Sequence, residues 1–101
     1  MIKHIVFWRL NQNAYGNDKQ INAKILKEKL LSMKSKVDGL LKIEVGFDIS
    51  HEKDSSDVVL YSDFESREAL HQYQIHPDHE EIKRWLSEVR YERRVVDYEI
   101  N

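Results

Sequence analysis

The sequence predicts an α+β domain built on a four-stranded antiparallel sheet, and three observations predict it. Two-residue alternation of apolar side chains marks strands in four places. Helical spacing of apolar side chains marks the segments between them. The strands also carry large apolar residues on both faces, as strands covered on each side do.

Met1 to Leu10 reads as the first strand. Ile2, His4, Val6, Trp8 and Leu10 share one face, and Lys3, Ile5, Phe7 and Arg9 the other. Asn11 to Asn17, with Gly16, is a turn-rich connection. Asp18 then suits the start of a long helix reaching about Lys36, along which Ile21, Ile25, Leu26, Leu30, Met33 and Val37 recur at helical spacing. Gly39 is the expected stop, in the position after the helix where glycine is favoured. In the second strand Leu41, Ile43, Val45, Phe47 and Ile49 alternate with polar residues and Gly46. A polar loop, Ser50 to Asp57, leads to a third strand at Val58 to Phe64.

Ser66 opens a short helix running to about Gln74. Pro77 cannot continue that helix but suits the first position of another, so Ile75-His76-Pro77 divides two helices. Asp78, Glu80 and Glu81 crowd the first turn of the new helix, where the helix dipole favours negative charge. Ile82, Trp85, Leu86 and Val89 form its apolar stripe, and Tyr91 to Ile100 is the last strand. The order β-α-β-β-α-α-β is ferredoxin-like, with the second helix split. Helices from one chain cover one face of such a sheet. Apolar residues on the other face predict that two copies pack sheet to sheet as a dimeric α+β barrel.

Composition narrows the chemistry. A chain of 101 residues is enough for one domain, so residues 1–101 are read as a single unit. Net charge is −2 with no basic stripe, which gives little electrostatic basis for binding nucleic acid. There is no cysteine, hence no disulfide framework and no thiolate nucleophile or metal ligand. The apolar run Ile5 to Trp8 is far too short to span a membrane, and a soluble cytoplasmic protein is the expectation. No glycine-rich phosphate loop or nucleotide fingerprint occurs, so no cofactor is expected. His71, His76 and His79 with Asp78 and Glu80 offer imidazole and carboxylate groups, but their spacing matches no standard zinc pattern. They are not read as a metal site. His76, before Pro77, reads as a structural group suited to capping the third helix.

Four segments together resemble one family. MIKHIVFWRL at the start, IEVGFD in the second strand, DFESREALHQYQIHPDH in the middle and VVDYEI at the end are similar to the stress-responsive α/β-barrel domain (Dabb) family. The similarity runs over nearly the whole chain, and Tyr73-x-x-His76-Pro77-x-His79 is its most specific part. The resemblance implies a ferredoxin-like protomer and a dimeric barrel. The family includes plant stress-associated proteins, many uncharacterised bacterial proteins and one polyketide cyclase. In the cyclase type the motif's tyrosine and second histidine act on the substrate, which maps to Tyr73 and His79, and the first-strand histidine maps to His4. This chain departs from that type at Val58, where a histidine would stand, and at Leu30, where a tyrosine would.

Three functional expectations follow. The first is a homodimer that binds a small apolar or aromatic molecule in a cavity lined by His4, Val6, Trp8, Tyr73 and His79. The second is a cyclase- or isomerase-like enzyme with His79 as general base and Tyr73 orienting the substrate. The third is a non-catalytic, stress-protective oligomer.

Overall fold

The computed structural model describes residues Met1–Asn101. Strand β1 (Ile2–Leu10) lies inside a four-stranded antiparallel sheet of order β4-β5-β1-β6, with β4 at Leu40–Phe47, β5 at Val58–Phe64 and β6 at Arg90–Glu99. Helices α1 (Lys19–Leu31), α2 (Arg67–Ile75) and α3 (Pro77–Val89) cover one face, giving the ferredoxin-like arrangement. Alternation in β1 sorts as its sequence predicts. Ile2, His4, Val6, Trp8 and Leu10 are all buried beneath the helices. Phe64, Ser62, Leu60 and Val58 of β5 lie opposite Ile2, His4, Val6 and Trp8 and are buried with them.

Several local readings are corrected. The connection after β1 contains a small hairpin, β2 (Asn13–Ala14) and β3 (Asn17–Asp18), turning at Tyr15 and Gly16, both at positive φ. Asp18 does cap α1, its carboxylate accepting from the Ile21 N–H at 2.9 Å. Helix α1 ends at Leu31, and a 3-10 turn, Ser32–Ser35, follows it. Its buried face includes Asn22, whereas Ile21 is exposed. The reason is polar: the Asn22 amide donates to the carbonyls of Ala14 (3.0 Å) and Asn17 (3.4 Å), tying the hairpin to the helix.

Gly39 does not end α1 but sits at φ +85° just before β4, under α2, where a Cβ would lie 2.7 Å from that of Ala69. In β4 an irregularity between Leu40 and Lys42 shifts the alternation by one residue. Leu40 is therefore the buried residue and Leu41 is turned out, while Ile49 lies past the strand end in solvent. A one-residue shift of this kind moves every side chain beyond it to the other face.

The second sheet face carries no helix. Ile5, Phe7, Val59, Tyr61, Val96 and Tyr98 lie on it, with ion pairs Lys3–Asp63 (2.8 Å) and Arg9–Glu92 (3.0 Å) between them. Strand β6 is one of the two edges, and every residue of it is exposed or half-buried. On its helix side this leaves an opening beside α2 and α3. No helix is long and apolar enough to cross a membrane.

Candidate functional site

Tyr73 and His79 are six residues apart. In an unbroken helix, at 3.6 residues per turn, they would point about 120° away from each other. The break at His76-Pro77 removes that constraint. His76 adopts an extended conformation (φ −61°, ψ 135°), and its Nδ1 accepts from the Asp78 N–H at 3.0 Å, capping α3 as the sequence suggests. Tyr73, in the last turn of α2, and His79, in the first turn of α3, now face one another with ring centroids 4.4 Å apart.

Both rings line a cavity of about 670 Å³ between the sheet and α2–α3. His4, Val6 and Trp8 line it too, so all five side chains expected at the site converge. Leu30 lies on the same wall, and Val58 does not reach it. The volume is within the usual range of small-molecule sites.

Each polar group has a distinct state. The Tyr73 hydroxyl is buried and has no hydrogen-bond partner in the protein. Burial pushes its phenol pKa well above the ordinary value, with the charge of Arg93 pulling weakly the other way. It is therefore a neutral donor. Trp8 Nε1 is also buried without a partner. His79 donates Nδ1–H to the Gln74 carbonyl at 3.3 Å. Burial pushes its pKa down to about 4, against the opposing pull of that bond. At neutral pH His79 is uncharged, and Nε2 carries the lone pair.

His4, nearly fully buried, pairs through Nδ1 with the carboxylate of Asp97, its cross-strand neighbour on β6. A carboxylate only accepts, so Nδ1 is the donor in this pair. Sequence reasoning did not find this partner, because Asp97 reads as one of several edge-strand charges. The β1–β6 register, which places it opposite His4, has no local signal. Arg90, Arg93 and His71 are also part of the lining.

The residues weighed as metal ligands are engaged separately. His76 caps α3, Asp78 pairs with Lys36 at 2.7 Å, and Glu80 pairs with Lys83 at 3.3 Å. No three of the chain's histidine and carboxylate side chains come together as a metal site.

A ferredoxin-like sheet with a Tyr/His-lined cavity under a split second helix defines a class of α+β barrel proteins. The family model of the stress responsive A/B barrel domain (Dabb) matches residues 2–100, and the chain belongs to that family. A dimeric protein of unknown function with a ferredoxin-like fold from Bacteroides fragilis is 29% identical, with a TM-score of 0.85 over 98% of this chain and 95% of that one. A Dabb family protein from Mesorhizobium loti is 25% identical, with a TM-score of 0.71 over 99% and 96% of the two chains. The hydroxynitrile lyase of Passiflora edulis shares the fold at 20% identity and a TM-score of 0.78, covering 99% of this chain and 91% of its own. No curated protein matches the sequence.

Proposed function

We propose that this Dabb domain works as a homodimer that binds a compact apolar or aromatic molecule in the cavity between sheet and helices. One observation carries the reading. Two buried donors without protein partners, Tyr73 OH and Trp8 Nε1, belong to the lining of a cavity whose remaining wall combines apolar side chains such as Val6, Leu60 and Leu86 with polar and charged ones. An unsatisfied buried donor costs about 1–3 kcal/mol, which a ligand acceptor would recover. Dimeric solved relatives and the apolar second sheet face support the homodimer. A thermal-shift screen of aromatic alcohols, ketones and acids tests the binding. Ligands that raise Tm in the wild type and fail to do so in a cavity-filling Val6→Phe variant are expected. A panel that shifts neither protein would overturn it.

A second reading has its own observation: His79 is neutral, with Nε2 free, beside a neutral phenol. Such a pair can take a proton next to a carbonyl while the phenol holds the oxygen. On that reading His79→Ala and Tyr73→Phe each lower turnover of an identified substrate by about 10²-fold or more. Normal turnover in both variants would remove the assignment.

A further inference from the structure

We propose that the cavity selects ligands bearing a carboxylate, held between the Arg93 guanidinium and the Tyr73 hydroxyl; this rests on the cavity being a ligand site. Arg93 stands opposite Trp8 in the β1–β6 register, so its side chain leaves the sheet on the cavity side. It has no ion-pair or hydrogen-bond partner in the chain, unlike the arginine next to it. Arg94, on the other face, meets Glu92 at 3.6 Å, and Arg9 meets the same carboxylate group at 3.0 Å.

The acids around the cavity are already taken. Glu80 holds Lys83 and Asp97 holds His4, so neither neutralises Arg93. Arg90 adds a second cation to the lining, also without an acidic partner. The cavity thus presents unspent positive charge beside a buried phenol that can only gain by donating. Arg93 and Tyr73 line the same cavity, and the Arg93 charge acts against the rise in the Tyr73 phenol pKa.

A carboxylate has two oxygens for two donors: one can accept from the phenol and the other from the guanidinium. His79 donates its one proton to Gln74 and offers no further donor, so the two donors that meet the anion here are the phenol and the guanidinium. Trp8, Leu60 and Leu86 supply an apolar wall for the body of the ligand. The class indicated is a small aromatic or aliphatic carboxylic acid, bound as its anion.

The test compares 2-naphthoate with 2-naphthamide, equal in shape and different in charge, by calorimetric titration of the full chain at neutral pH. The naphthoate is expected to bind about tenfold more tightly, the advantage shrinking as salt is raised. Arg93→Ala and Arg93→Gln should bring the two compounds to within about twofold of each other, whereas Arg93→Lys keeps part of the preference. Arg93 is on an exposed edge strand, and circular dichroism of the variants checks that folding is unchanged. Equal affinities in the wild type, or a preference that survives both neutral replacements, would overturn the carboxylate site and leave the cavity reading standing. Binding of neither compound would overturn both.

Discussion

Tyr73 is the residue on which structure and function pull apart. Its ring packs against Phe64 (5.2 Å) and His79 (4.4 Å), while its hydroxyl bonds to nothing in the protein. Tyr73→Phe should leave stability unchanged or raise it by up to about 1 kcal/mol, because the deleted oxygen was desolvated without compensation. Urea unfolding measures this, and a loss above about 1 kcal/mol would show that the hydroxyl has a structural partner. His79 makes a second prediction. Its folded pKa, about 4, is below the ordinary histidine value of 6.5, so between those values the unfolded chain binds a proton that the folded chain refuses. Stability therefore falls as pH is lowered through this window. The part due to His79 is about 1–2 kcal/mol, reduced from the full linkage value because the ring is partly exposed. His79→Gln should flatten the dependence between pH 4 and 6.5 relative to wild type; parallel curves would refute it. Strand alternation placed His4 and Trp8 on one face, while the site roles of His4, Tyr73 and His79 came from the family resemblance carried by the Tyr-x-x-His-Pro-x-His run. Asp97 and Arg93 were not readable, since their roles come from pairing between the two ends of the chain.

Among the elements, the helix break was legible because proline acts locally, and the bulge in β4 was not. The alternation read from Leu41 to Ile49 holds for Ile43, Val45 and Phe47 but fails at Leu41 and Ile49, and nothing near Leu41 announces that Leu40 is the buried residue. Gly39 was read as the end of a helix, a position that needs only backbone freedom. In the structure it needs space as well. Gly39→Ala would place a methyl group 2.7 Å from Ala69 Cβ while also straining a backbone at φ +85°. The two costs together should exceed about 2 kcal/mol, against about 1 kcal/mol for the conformational term alone. Pairing Gly39→Ala with Ala69→Gly separates them by unfolding: the double variant should recover the steric part. If it recovered nothing, the close approach to α2 would not be the cause.

At the scale of the whole molecule, the second sheet face is the surface on which the proposed homodimer rests. Strand β4 adds little to its apolar surface, because Ile43 and Val45 point to the helices and Leu40 is buried under them. The surface comes instead from β1, β5 and β6. Ile5 stands between Tyr61 and Val96, Phe7 beside Val59, and Tyr98 beside Lys3. Phe7, Val96 and Tyr98 are each more than a third exposed, and burying such side chains is worth about 1.5–3 kcal/mol apiece when complete. A symmetric sheet-to-sheet contact uses each of them twice, once per copy, so one substitution counts doubly. Analytical ultracentrifugation is expected to give twice the protomer mass of 12.1 kDa. Val96→Glu, which sets a charge on this face beside Ile5, should weaken the dimer by about 10²-fold or more, because each copy would bury a carboxylate in the contact. Ile49→Glu changes charge equally at a residue 89% exposed and off the sheet, and should leave the dimer intact. If both variants dissociate alike, net charge rather than this face controls association. If neither does, the copies meet elsewhere, with the free edge of β6 the next surface to probe by substituting Val95.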